Sequence, residues 1–196
     1  MSSIATKSGD GGQTGLAGGI RVSKASLRVD TYGNVDELNS ALGFARSICD
    51  DEDLCASTLR IQRELFKVGS SLATPPTSAK PAVVIEASLT EALTSEVHAL
   101  EAMEGMLSDW SVPGATPAGA AYDMARTICR RAERLVVVLV REGVLSADVS
   151  VYLNRLSDYL FVAARFAAMR AGAPEQVYSK RSGGITERGL GGAAPS

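Results

Sequence analysis

Apolar residues recur at three- and four-residue intervals through five successive segments, and this periodicity constrains the fold more than any other feature of the chain. Val35, Leu38, Leu42 and Ala45 form the first stripe. Asn34 is the expected N-cap there, with Asp36 and Glu37 in the first turn, so a helix is expected over about 34–49 after a helix-free opening of ~30 residues. Ile61, Leu65, Val68 and Leu72 mark a second helix that stops before Pro75-Pro76, and 74–84 reads as a connection. Leu89, Leu93, Val97, Leu100, Met103 and Leu107 predict a third helix ending near Trp110. Thr116-Pro117 has the form of an N-cap followed by proline at the first helical position. The helix it opens is expected to turn Met124, Ile128, Leu135 and Leu139 inward and to end at Gly143. Asp148 or Ser150 starts the fifth, whose buried stripe is Leu153, Leu156, Leu160, Ala163 and Ala167 and whose end is Gly172 and Pro174. No strand alternation is convincing, and short links between helices predict an all-α, five-helix bundle.

The 196 residues suit one domain, with 45% hydrophobic residues to form its core. Twenty Lys and Arg stand against 22 Asp and Glu, a formal charge of −2, so no general pull toward nucleic acid or an anionic membrane is expected. The opening MSSIATKSGDGG has no apolar signal core and no run is long enough to span a bilayer, from which a cytoplasmic location is expected. Cys49, Cys55 and Cys129 share no metal-binding spacing and read as reduced, packed thiols. His98 is the single histidine. A cysteine nucleophile or a zinc centre needs more than that, so no protein metal site is expected and His98 is assigned to core or interface packing.

Three constellations carry possible chemistry. The opening TKSGDGGQTGLAGGIRVSK combines glycines, the hydroxyls of Thr6, Ser8 and Thr14, and the cations Lys7, Arg21 and Lys24. Such a loop suits a phosphate cradle, since glycine lets successive N–H groups aim at one anion and lysine neutralises it. It equally suits a flexible arm. In ARTICRRAER, Arg126, Arg130 and Glu133 share one helical face, flanked by Arg131 and Arg134. This ridge reads either as a solvated surface or as a binding face for triphosphate through guanidinium forks. In VYLNRLSDYLFVAARF, Asn154, Asp158, Phe161 and Arg165 share a face apart from the leucines, and Asn154 offers both donor and acceptor to a ligand. Asp36 could pair with an arginine of the fourth helix; spacing leaves that open.

Taken in order, TKSGDGGQTGLAGGIRVSK, RVDTYGNVDELNSALGFAR, PGATPAGAAYDMARTICRRAER and YLNRLSDYLFVAAR resemble the PduO-type ATP:cob(I)alamin adenosyltransferase family. The resemblance runs to about residue 170, and four ordered motifs make it specific. It implies a ferritin-like up-down bundle over 1–172, with 1–30 as an ATP loop and 173–196 as a flexible tail. It also implies a homotrimer with active sites between subunits. Thr6, Lys7, Ser8, Gly9, Thr14, Gly15 and Lys24 then fall on the ATP loop. Arg126 matches an arginine that bridges to Asp36 of a neighbouring subunit, and Arg130, Arg131, Glu133 and Asn154 match positions lining ATP and its Mg2+. Phe161 matches an aromatic of the corrinoid pocket. Trp110 stands where the family usually has the phenylalanine that displaces the corrinoid's lower base, and Ala115 where a second glycine is common.

The implied reaction moves the 5′-deoxyadenosyl group of ATP to the cobalt of cob(I)alamin, itself formed by reduction of cob(II)alamin. Its products are adenosylcobalamin and triphosphate. Cobalt is the nucleophile, which agrees with the lack of a Cys-His or Ser-His pair. A corrinoid reductase and an adenosylcobalamin-dependent enzyme are the implied transient partners. The alternatives are a non-catalytic corrinoid or nucleotide-binding chaperone or sensor that delivers adenosylcobalamin, and a helical scaffold.

Overall fold

The computed structural model describes residues 5–106, 111–179 and 184–188. Its body is five helices: α1 (Leu27–Ser47), α2 (Glu52–Leu72), α3 (Ala87–Glu101), α4 (Pro117–Arg141) and α5 (Ala147–Arg170). Before them, β1 (Gln13–Gly15) pairs antiparallel with β2 (Arg21–Ser23). After them, β3 (Glu175–Ser179) pairs antiparallel with β4 (Gly184–Arg188), and Val177 also bridges to Ser111. None of the described helices is long and apolar enough to cross a membrane.

Helix α2 follows the expected pattern. Asp51 caps it by accepting from the Leu54 N–H at 2.9 Å, and Ile61, Leu65, Val68 and Leu72 are buried. Helix α5 buries the whole expected stripe, but its cap is Ser146 rather than Asp148 or Ser150. Helix α4 opens as expected, with Thr116 Oγ1 accepting from the Gly119 N–H at 3.0 Å and Pro117 in the first turn. Gly119 is required there by space, since a Cβ would lie 3.0 Å from the Ala164 carbonyl oxygen of α5.

Five expectations need correction. The first helix starts at Leu27, not Asn34; Asn34 lies inside it and donates to the Asp30 carbonyl at 2.9 Å. Arg28 explains the early start: from the first turn it donates to the Leu72 carbonyl at 2.7 Å and the Val144 carbonyl at 2.8 Å, tying that turn to two other elements. The third helix ends at Glu101, so Met103 lies beyond it and is exposed, while Leu107 and Trp110 are outside the described residues. The inward face of α4 is Ala121, Tyr122, Ala125, Cys129, Ala132, Val136 and Leu139, which leaves Met124 exposed and Ile128 and Leu135 half-buried. Strands are present at both ends, and part of the segment expected to be a loose tail is the β3–β4 hairpin. His98 is exposed on α3 and does not enter the core.

Candidate active site

The β1–β2 hairpin gathers most of the residues read as a phosphate cradle. Thr6 Oγ1 and Ser8 Oγ lie 2.8 Å apart, and Arg21 staples the loop by donating to the Ser8 carbonyl at 2.7 Å. Lys24 N–H donates to the Gly12 carbonyl at 2.9 Å. A Cβ on Gly9 would lie 3.0 Å from Lys24 Nζ, so the ammonium end of Lys24 packs close against the bare backbone of Gly9. Lys7 has a positive φ of 57°, an arrangement that non-glycine residues rarely adopt. Thr14 and Gly15 lie in β1, opposite Val22 and Arg21. The loop docks on the body where Ala17 N–H donates to the Ala73 carbonyl beyond α2, at 2.9 Å.

The ridge on α4 forms a second group. Asn154 Nδ2 on α5 donates to Glu133 Oε1 at 3.0 Å, joining two residues assigned from separate motifs. Arg131 pairs with Glu37 of α1, a partner that spacing did not identify. Arg130 is exposed, and its carbonyl accepts from Arg134 Nη1 at 3.1 Å. A third group surrounds Phe161. Arg126 and Arg165 place their guanidinium carbons 5.9 and 5.1 Å from its ring centroid. Arg126 Nε lies 3.3 Å from Asp123 Oδ1, within the same chain. Asp36 is exposed and lines a cavity of about 370 Å³ with Tyr32, Asn39, Leu65 and Phe66.

Arg165 departs from the expected polar face. It is 2% exposed, pairs with Asp123, and its Nε lies 2.6 Å from Glu175 Oε1 although the N–H is poorly aligned for a hydrogen bond. Sequence reasoning missed Asp123 and Glu175. Burial pushes the Glu175 carboxyl up against the opposing pull of Arg165 and Ser111. Burial also pushes the Cys129 thiol well up, so it is held neutral and is no nucleophile. The assigned site therefore offers cations, an amide and carboxylates, a set that binds and orients polyanions.

A family model for cobalamin adenosyltransferase matches residues 4–167. The chain belongs to the cobalamin adenosyltransferase family. It is 43% identical over 179 residues to the corrinoid adenosyltransferase of Bacillus subtilis, covering 89% of this chain and 91% of that protein. The human corrinoid adenosyltransferase is 36% identical over 193 residues, 95% of this chain and 77% of that protein. A variant PduO-type ATP:corrinoid adenosyltransferase from Lactobacillus reuteri, complexed with cobalamin and ATP, superimposes with a TM-score of 0.85 at 37% identity. It covers 90% of this chain and 99% of its own. The family makes the chain an enzyme, an adenosyltransferase whose substrates are ATP and a corrinoid.

Proposed function

We propose that this adenosyl transfer takes place between adjacent subunits of a homotrimer, with the β1–β2 hairpin of one chain facing the α4–α5 ridge of the next. The observation that carries the reading is the split arrangement. Thr6, Ser8, Gly9 and Lys24 converge in the hairpin, Glu133 and Asn154 converge on the ridge, and among the described residues no hydrogen bond or ion pair joins the two groups. A second copy brings them together. Lys7, Lys24, Arg130 and Arg131 then hold the triphosphate, and Asn154 orients the nucleoside.

In the transfer, the cobalt(I) electron pair forms the new bond to C5′ while the C5′–O bond breaks and triphosphate departs with the electrons of that broken bond. The chain's own work is to hold C5′ in line with cobalt and to stabilise the leaving anion. Its arginines and lysines supply positive charge that does not have to reorganise as the anion develops. Phe161 and Trp110 are assigned to the corrinoid side, where apolar groups exclude water.

Magnesium, when bound, neutralises phosphate charge. No group of three His, Cys, Asp or Glu among the described residues forms a protein cage for it. Glu133, oriented by Asn154, is the ridge carboxylate assigned to face an ion carried mainly by phosphate oxygens.

The test is anaerobic: chemically reduced cob(I)alamin, Mg-ATP and purified protein, following loss of the Co(I) spectrum and release of triphosphate. Equal amounts of adenosylcobalamin and triphosphate are expected. ATP and corrinoid binding without either product would instead establish the delivery role.

A further inference from the structure

A cluster of four charges lies between α4, α5 and β3, behind the ring of Phe161. Asp123 is 3% exposed and accepts from Arg165 through one oxygen, while its other oxygen meets Arg126 Nε at 3.3 Å. Glu175 is 6% exposed and lies 2.6 Å from Arg165 Nε. The cluster thus balances two carboxylates against two guanidiniums. Both guanidiniums also lie over the Phe161 ring.

Charges buried this deeply seldom strengthen a fold, because desolvation offsets their attraction and a well-packed apolar group often serves as well. What such a cluster does supply is direction. Arg165 is held by Glu175 as well as Asp123, so the Asp123 carboxylate has a fixed orientation and presents a second oxygen to Arg126. A guanidinium has five N–H donors in a planar fork. Engaging Nε therefore leaves Arg126 the means to meet a second carboxylate, and it sets the plane in which it does so.

We propose that Asp123 is a positioning residue for adenosyl transfer, orienting Arg126 toward the neighbouring subunit and fixing Phe161 against the corrinoid. The inference rests on the assignment of Arg126 and Phe161 to that side of the site. Glu175 serves it indirectly. By sharing the charge of Arg165 it lets one Asp123 oxygen remain for Arg126, and through β3, whose Gln176 carbonyl accepts from the Val112 N–H at 2.7 Å, it ties the same cluster to the segment before α4.

The test compares Asp123→Asn, Arg126→Lys and their combination in the full-length protein, measuring kcat and the KM values for cob(I)alamin and ATP separately. Asp123→Asn is expected to cost roughly 10- to 100-fold in kcat/KM for the corrinoid, the scale of a displacement of about 1 Å, with the KM for ATP within about twofold. Combined with Arg126→Lys it adds little, because both changes break one relay. The bound cob(II)alamin spectrum shifts in Asp123→Asn and returns toward wild type in Asp123→Glu, which keeps the charge.

Should Asp123→Asn fail to fold, Asp123→Asn/Arg165→Gln removes one carboxylate and one guanidinium together and leaves the cluster's net charge unchanged, and the same corrinoid defect is expected. Normal corrinoid kinetics in Asp123→Asn beside an impaired Arg126→Lys overturns the proposal and leaves the site assignment standing. Normal kinetics in both overturns the assignment as well. Equal losses for ATP and corrinoid, additive with Arg126→Lys, overturn it in favour of simple packing.

Discussion

Arg130 is exposed on α4, and Asn154 spends its amide on Glu133 at the surface rather than on the core, so neither side chain supports the fold. Arg130→Ala and Asn154→Ala are accordingly expected to keep wild-type melting temperatures while losing about 10²- to 10³-fold in turnover, the scale for a lost contact to a developing anion. Steady-state kinetics beside thermal melts check this, and near-normal rates in both would remove them from the site. Glu175 makes a different prediction. Its carboxyl is held above the ordinary glutamate range, burial being the largest cause, with Asp123 adding to it and Arg165 and Ser111 opposing. The folded chain therefore binds this proton more tightly than the unfolded chain. Its contribution to stability is fully present below the unfolded value of about 4.3 and is lost as pH rises through the folded one. Urea midpoints across pH are expected to show wild type losing ground to Glu175→Gln as pH climbs from that value. A wild type that gains on the variant would mean that the Arg165 attraction outweighs burial.

At the scale of elements, what could be read in advance depended on whether the deciding interaction was local. The stripes of α2 and α5 were legible because large aliphatic residues mark them at helical spacing. In α4 the packed face is mostly Ala121, Ala125, Cys129 and Ala132, small residues that mark no stripe, while the more apolar Met124 faces out, so the aliphatic spacing points one position round from the inward face. Gly33 and Asn34 imitate a helix start in the middle of α1, and only the remote bonds of Arg28 to Leu72 and Val144 reveal the true one. The β3 strand alternates buried Glu175 and Val177 with exposed Gln176 and Tyr178, but an inward glutamate reads as surface until Arg165 is placed beside it. The site divides in the same way. The assigned hairpin and ridge residues belong to compact sequence motifs and so can be singled out as candidates, whereas Asp123 and Arg165 are 42 positions apart and no motif pairs them. Where the deciding contact is local, a quantitative expectation follows: Thr116→Ala removes the cap of α4 and is expected to cost about 1 kcal/mol. A fall of about 2–4 °C in melting temperature checks it, and no change would show the cap to be dispensable.

For the whole molecule, the surface of a single chain is the most informative feature. Phe66 is 70% exposed, Met124 61% and Phe44 56%, large apolar groups that a lone bundle gains nothing by presenting to water. Phe66 lines the same cavity as Asp36, the residue assigned to the subunit junction. In the proposed trimer, covering that face with a second copy would both bury apolar area and bring an arginine ridge to the hairpin, so assembly and catalysis would depend on one surface. Sedimentation of the wild type is therefore expected to give three times the chain mass of 20.4 kDa. Phe66→Glu places a charge in the proposed junction and is expected to shift the protein toward smaller species, with activity per chain falling in step, as a site divided between subunits requires. Asp36→Ala removes only the proposed bridge to Arg126 of the neighbouring subunit. It is expected to leave the trimer in place and to weaken corrinoid use, seen as a raised corrinoid KM at an unchanged sedimentation coefficient. A fully active monomer would refute the shared site. A trimer indifferent to Phe66→Glu would move the junction to the face that carries Phe44 or Met124.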